Sequence, residues 1–341
     1  MDAPLWIDEY APALADVPQD DARARLRRTV DEPMNLVVQG PRGVGKTAAV
    51  RALARETHAD PDNDLIELNV ADFFDRTKKE IKNDPRFAPF LAGRSRMAKR
   101  DMINHVLKES ASYAPMSGEF KTVVLDNAEA IREDFQQALR RVMEQHHRTT
   151  QFVVATRQPS KLIPPIRSRC FPVQMRSPTT DEIEEVLRGI VEAEGVDHDA
   201  DGLEYVAGYA DGDLRRAILS AQATASEAGE ITMNAAYETL GEIGHDDDLR
   251  EVLSLAEAGE FADARKGLDD LLDEGYEGEE LLQELLRVAR ANYTGRELAR
   301  LHRLAGEIDL DLVEGTDDRI HLAHLLADWA ERDAGAGRAW V

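Results

Sequence analysis

The segment Gly40-Pro41-Arg42-Gly43-Val44-Gly45-Lys46-Thr47 constrains this chain more than any other, because it fits G-x-x-x-x-G-K-[ST] and because of what flanks it. Before it, Met34-Asn35-Leu36-Val37-Val38-Gln39 reads as a short buried strand; after it, residues 46–56 are rich in Ala and Arg and read as a helix. Strand, glycine loop and helix in that order aim backbone N–H groups and a helix N-terminus at one point, which is the geometry that cradles phosphates. There Lys46 brings a point charge to the terminal phosphates and Thr47 offers a hydroxyl to magnesium. The plainer reading, an ordinary glycine turn, is disfavoured by the strand and helix on either side.

Further strands are predicted at residues 65–69, 122–125 and 151–155, with helical segments between them, so the first half of the chain reads as a parallel α/β sheet. After Ser177-Pro178 the strand signals stop, and Thr179-Thr180-Asp181-Glu182 opens a run of amphipathic helices. Beyond Gly241-Glu242-Ile243-Gly244 the pattern stays helical, with a break at Asp273-Glu274-Gly275-Tyr276-Glu277-Gly278. The expected organisation is therefore an α/β nucleotide-binding domain over 1–176, a helical lid over 177–244 and an all-helical domain over 245–341.

A magnesium site beside a phosphate loop needs a carboxylate at the end of another buried strand, and Val123-Val124-Leu125-Asp126 supplies Asp126. A glutamate that polarises the attacking water often comes next, but here the next residue is Asn127. An amide positions a water yet cannot accept its proton, so ATP binding with weak hydrolysis at this chain's own site is expected. The alternative is that Asn127 merely satisfies a loop and Glu129 substitutes for the missing base.

Composition narrows the partners. With 341 residues, 43% of them hydrophobic and 32% charged, the chain can bury more than one core. No basic leader or long apolar run points to secretion or a membrane, so a cytoplasmic protein is expected. The single cysteine, Cys170, excludes an intrachain disulfide framework and fits a reducing compartment. Net charge is −24, and the basic residues are 33 Arg against 9 Lys. Such an acidic, Lys-poor surface suggests adaptation to high salt, where self-repulsion is screened over about 3 Å at 1 M. It also argues against nonspecific nucleic-acid binding by the whole surface. Between Arg76 and Arg100, however, nine basic residues face only Glu80 and Asp84. Residues 94–110 read as a helix carrying Arg94, Arg96 and Arg100; the plainer reading of this run is a solvated face.

Downstream, Ser160-Lys161-Leu162-Ile163-Pro164-Pro165-Ile166-Arg167-Ser168-Arg169-Cys170 resembles the Ser-Arg-Cys segment of clamp-loader small subunits, the replication factor C family of AAA+ ATPases. Leu5-Trp6-Ile7-Asp8-Glu9-Tyr10-Ala11-Pro12 is similar to the family's N-terminal box, and Gly212-Asp213-Leu214-Arg215-Arg216-Ala217 to its lid motif. Gly259-Glu260-Phe261-Ala262-Asp263-Ala264-Arg265, Asp273-Glu274-Gly275 and Leu312-Val313-Glu314-Gly315 resemble the helical collar through which these subunits form a ring. The resemblance spans nearly the whole chain.

It implies a P-loop AAA+ parallel-sheet domain, a helical lid and a helical collar, with ATP and Mg2+ as cofactors. It implies as partners the other subunits of a hetero-oligomeric ring, a pentamer, together with the sliding clamp (PCNA) and primer-template DNA. Arg169 is then an arginine finger for the neighbouring subunit's ATP site, and Arg215 a lid sensor, unless it only makes a helix-surface salt bridge. Arg94, Arg96 and Arg100 fall on the family helix that tracks DNA phosphates. Cys170 is a packing residue, since no His sits nearby in sequence to activate it. Three parts of the family pattern around the chain's own site are altered. Glu9 and Ala11 stand where the box has cations, Asn127 comes after the metal aspartate, and Arg157 replaces a sensor asparagine. These departures predict a specialised subunit that supplies its finger while holding nucleotide statically. Two other readings stay open: a nonhydrolytic scaffold subunit of the same ring, and an AAA+ DNA motor.

Overall fold

The computed structural model describes residues 4–70, 77–84, 87–91, 97–243, 246–273, 276–315 and 317–330. The chain forms two compact units, Met1–Ala236 and Tyr237–Val341.

In the first unit the strands are β1 (Leu36–Gln39), β2 (Leu65–Asn69), β3 (Lys121–Asp126), β4 (Thr150–Thr156) and β5 (Phe171–Gln174). They form one parallel sheet in the order β2-β3-β4-β1-β5. Helices α1 (Asp20–Asp31), α2 (Lys46–Thr57), α3 (Lys99–Ser112) and α4 (Glu133–His146) complete this α/β part. Successive strand residues point to opposite faces, and the near-continuous apolar runs bury both. Val37, Val123, Leu125, Phe152 and Val154 pack on one side with Met102, Leu107, Leu139 and Val142 of α3 and α4. Leu36, Val38, Val124, Val153 and Val173 pack on the other with Leu26 of α1 and Val50 and Leu53 of α2.

The predicted strands hold to within two residues at each end, but β5 carries no recognisable strand signal because Pro172 interrupts it. Phe171 and Met175 donate their N–H groups inward to Asn35 O and Gln39 O, at 2.7 and 2.8 Å. By alternation Pro172 faces away from β1 at the sheet edge, where the missing N–H costs no ladder bond. A second difference concerns α3, which begins at Lys99: Ala98 is extended at φ −67°, ψ 154°, so the helix expected from residue 94 does not include 97 and 98. Residues 94 and 96 lie outside the described residues.

The helical lid comes next in the same unit as α5 (Thr180–Glu194), α6 (Ala200–Tyr209) and α7 (Leu214–Ala228). The cap-like start is a reciprocal box: Thr179 Oγ1 accepts Glu182 N at 3.3 Å and Glu182 Oε2 accepts Thr179 N at 2.9 Å. Although strand signals are absent there, Asp197–His198 and Glu230–Ile231 make a two-residue parallel bridge. Gly202 faces it so closely that a Cβ would meet Ile231 O at 2.4 Å. The N-terminal box is fastened to the lid. Trp6 N donates to Gln222 Oε1, Gln222 Nε2 donates to Pro4 O, and Tyr10 OH donates to Glu194 Oε1 at 2.6 Å.

Helix α8 (Met233–Ile243) leads into the second unit, built from α9 (Asp246–Ala258), α10 (Phe261–Asp273), α11 (Gly278–Asn292), α12 (Gly295–Glu314) and α13 (Asp318–Ala330). Its core is a leucine cluster with Trp329. The predicted break separates α10 from α11, and Gly278 N donates to Asp318 Oδ2 at 2.9 Å. Arg287, mostly buried, is neutralised by Glu284 and Asp246.

Lys121 opens β3 with 1% exposure. Its Nζ donates to Tyr113 O and lies 5.6 Å from the Tyr113 ring centroid. Burial pulls its pKa down to about 8, against the opposing pull of Asp64; His146 also feels its charge. A depressed lysine pKa means that the unfolded chain takes up the proton first as pH falls. Relative to Lys121→Met, wild-type stability should therefore rise between pH 8 and 10.5, by up to about 3 kcal/mol, and stay level below pH 8. Paired thermal melts across that range check it.

Candidate phosphate-binding site

β1 and β4 are neighbours in the sheet although the chain visits β2 and β3 between them, and the loop 40–45 leaves the carboxyl end of β1 at this reversal of strand order. The loop is held from several sides. A Cβ on Gly40 would meet Met175 O at 2.1 Å, so only glycine lets the loop pass the chain leaving β5. Val44 is buried at 1% and anchors the loop in the core beneath, while Pro41 and Arg42 form its exposed tip. Gly43, at φ +71°, is covered by the lid: Arg215 N donates to Gly43 O at 3.2 Å, and a Cβ on Gly43 would strike the Asp213 carboxylate at 1.8 Å. Gly45, at φ +89°, turns the chain into α2.

This loop fits a nucleotide phosphate. The N-terminus of α2 has no capping side chain and no acid in its first turn, which leaves its N–H groups for an anion. Lys46 Nζ donates to Gly40 O at 2.9 Å and Pro41 O at 2.6 Å. Burial lowers the Lys46 pKa and nearby Arg157 adds to that, while Asp126, Glu129 and Asp213 oppose it. Thr47 Oγ1 donates to Asp126 Oδ2 at 2.7 Å, so the hydroxyl and carboxylate expected to share a magnesium ion already stand together. Asp126 Oδ1 accepts Asn127 N at 2.9 Å. Among the described residues no group of three or more His, Cys, Asp and Glu is arranged to hold a metal by itself. A magnesium ion here would thus lean on Thr47, Asp126 and the phosphates.

Asn127 takes a left-handed backbone at φ 53°, and its Nδ2 donates to Asn69 Oδ1 at 3.1 Å. Its amide is therefore engaged across to the end of β2. Glu129, the alternative base, is also engaged: Oε2 accepts Thr156 Oγ1 at 3.0 Å and Arg157 N at 3.1 Å, and Oε1 accepts Arg157 Nε at 2.8 Å. Burial alone would raise the Glu129 pKa, but these donors outweigh it and hold the carboxyl below its usual range.

Arg215 is exposed at the start of α7, and no ion-pair partner for it is found among the described residues. Arg169 stands apart from the chain's own phosphate loop, donating through Nη1 to Pro165 O and through Nη2 to Glu144 Oε1, both at 2.8 Å. Arg140 Nε binds the same carboxylate oxygen at 3.1 Å. Cys170 packs against the core and burial pushes its thiol up to about 12, which suits a packing role. Of the basic stretch, Arg100 falls in the first turn of α3, whereas Arg94 and Arg96 lie outside the described residues. Sequence reading does not pick out Asn69, Thr156 or Glu144. Asn69 has the signal of a polar residue at a strand's carboxyl end; Glu144 lies 25 residues from Arg169 on another helix and carries none.

Two family models match the chain: "DNA polymerase III, delta subunit" over residues 29–179 and "Replication factor C C-terminal domain" over residues 244–328. A replication factor C small subunit of Staphylothermus marinus is 33% identical over 95% of this chain and 93% of its own length. That of Halobacterium salinarum is 30% identical over 96% of each. Among solved structures, the Thermotoga maritima RuvB Holliday junction branch migration motor matches with a TM-score of 0.54 at 16% identity, over 82% of this chain and 90% of that one. A DNA polymerase III gamma subunit-related protein of the same organism gives 0.51 at 16% identity, over 92% and 99%. The structural likenesses concern the fold, whereas sequence identity above 30% along nearly the whole length, with the phosphate loop and sheet order in place, makes this chain a member of the replication factor C small subunit family of AAA+ ATPases.

Proposed function

We propose that this chain is a subunit of an archaeal-type clamp loader, a hetero-oligomeric ring, taken as a pentamer, that uses ATP to place the sliding clamp (PCNA) on primer-template DNA. The observation that carries this reading is the full-length similarity to replication factor C small subunits. Gly40 to Thr47, Asp126 and Arg215 would hold Mg2+-ATP, the Mg2+ between Thr47 and Asp126. When bound, Mg2+-ATP supplies the phosphoryl group whose transfer to water drives the cycle. The sheet domain, lid and collar divide the work as nucleotide site, nucleotide-responsive cover and ring contact, in the cytoplasm of the cell.

Within the ring we assign this subunit weak hydrolysis at its own site and a finger given to its neighbour. Asn127 cannot accept a proton, and Glu129 is tied down by three donors, which leaves neither of them poised as a base. Arg169 is partly exposed, and its tether to Glu144 presents a guanidinium at the surface. The nonhydrolytic scaffold reading rests on Asn127 alone and differs only in how far turnover falls. A DNA motor has the RuvB likeness in its favour, but that likeness concerns the fold, and the match over residues 244–328 favours a collar. Strand displacement by the assembled complex would favour the motor. Arg94, Arg96 and Arg100 are the proposed contacts to DNA phosphates, sequence-independent and salt-sensitive.

Magnesium-dependent ATP turnover by the reconstituted loader, with clamp and primed DNA, should fall partially on Arg169→Ala, since losing one finger costs about 10³-fold at a single site. Unchanged turnover with the ring intact would make Arg169 a structural residue. The net charge of −24 supports a high-salt setting. The chain's melting temperature should rise from low to molar KCl, and a flat or falling profile would refute that setting.

A further inference from the structure

Arg157 stands at the mouth of the phosphate loop. Thr156, the residue before it, pairs with Gln39 at the end of β1, and Gly40 N donates to Thr156 O at 3.2 Å. The first residue of the loop is thus hydrogen-bonded to the residue that immediately precedes Arg157. The guanidinium is fixed through Nε to Glu129 Oε1, on a carboxylate only 9% exposed. Two other donors, Thr156 Oγ1 and Arg157 N, hold the second oxygen of that carboxylate. Glu129 is therefore a rigid anchor that does not depend on the guanidinium for its place. The Arg157 side chain is 41% exposed, and its charge adds to the depression of the Lys46 pKa.

A neutral asparagine at this position offers a terminal phosphate one or two weak donors. An anchored guanidinium offers a permanent charge and a fork of N–H groups, and its attraction grows with each added phosphate charge. We propose that Arg157, positioned by Glu129, is a nucleotide-discriminating residue: a second fixed cation beside Lys46 that favours a nucleoside triphosphate over a diphosphate. The proposal rests on the reading of the loop as an ATP site. It gives a subunit that hydrolyses slowly a reason to remain charged with ATP, because the same substitution that removes the sensor amide adds selective affinity.

Equilibrium titration of the full chain with ADP and with the non-hydrolysable analogue AMP-PNP, each with Mg2+, tests it. Arg157→Asn should weaken AMP-PNP binding about tenfold or more while ADP binding stays within about twofold, which also reports that the variant is folded. Glu129→Ala should lower the AMP-PNP preference in the wild-type background and have no further effect in the Arg157→Asn background, the non-additivity expected when one residue acts through the other. Equal weakening of both nucleotides, or none, on Arg157→Asn would overturn the role of Arg157. An equal Glu129→Ala effect in both backgrounds would overturn its positioning by Glu129. Wild type binding neither nucleotide would bring down the reading of the loop itself, and this proposal with it.

Discussion

The site depends on one steric constraint: at Gly40 and Gly43 the backbone between β1 and α2 passes where there is no room for a side chain. Gly40 is pressed by Met175 O, Gly43 by the Asp213 carboxylate, and Val44 is sunk into the core. Because β5 approaches from one side and the lid from another, the loop's shape is imposed by elements distant in sequence. A loop so confined keeps its N–H groups aimed without reorganising, which is what strong anion binding requires. It also ties the lid mechanically to the phosphate loop. Arg215 N on Gly43 O and the Asp213 cap on Arg216 N sit at the first turn of α7, so a change at the loop reaches the lid through one hydrogen bond and one carboxylate.

The electrostatics of the site derive from the same crowding. Lys46 feels the charges of Asp126, Glu129, Arg157 and Asp213 across this small space. Glu129 is the clearest case: burial would raise its proton affinity and so make it a better base, yet the donors from Thr156 and Arg157 keep it ionised and engaged. A carboxylate stabilised in this way is a poor base, since its low proton affinity is the reason it stays charged. Arg157 and Asn127 thus act in one direction. The first binds the Glu129 carboxylate, and the second puts in place of the usual carboxylate an amide that Asn69 engages.

Much of this is legible in the sequence. Apolar runs at 36–39, 121–126 and 150–156 are buried on both faces, and such runs announce themselves without any partner. The glycine loop is legible because its chemistry depends on residues adjacent in sequence. The features that escape are those that depend on a neighbour far along the chain. β5 reads poorly because Pro172 breaks its run, and only its edge position makes the proline harmless. The Arg157–Glu129 pair joins residues 28 apart, and only the adjacency of β3 and β4 brings them together. The tether of Arg169 to Glu144 likewise spans 25 residues. The start of α3 is hidden for a local reason: Met97 and Ala98 are strong helix formers, so nothing in their identity marks Lys99 as the first helical residue.

The contrast between the whole chain and its local basic stretch has a physical logic beyond solubility. A surface as acidic as −24 repels nucleic acid everywhere except where cations are concentrated, so it narrows the ways a polyanion can approach. Concentrated salt weakens that repulsion and the attraction alike, because exposed charges more than a few ångströms apart no longer sense one another. Contacts that survive such screening are those at hydrogen-bond distance and partly removed from water. The Glu129–Arg157 pair at 2.8 Å, with its carboxylate 9% exposed, belongs to that class. So does the pairing of Thr47 with Asp126 at 2.7 Å. At high ionic strength the interactions that retain specificity are therefore the short, shielded ones around the phosphate loop, while the exposed charges set solubility and the route of approach.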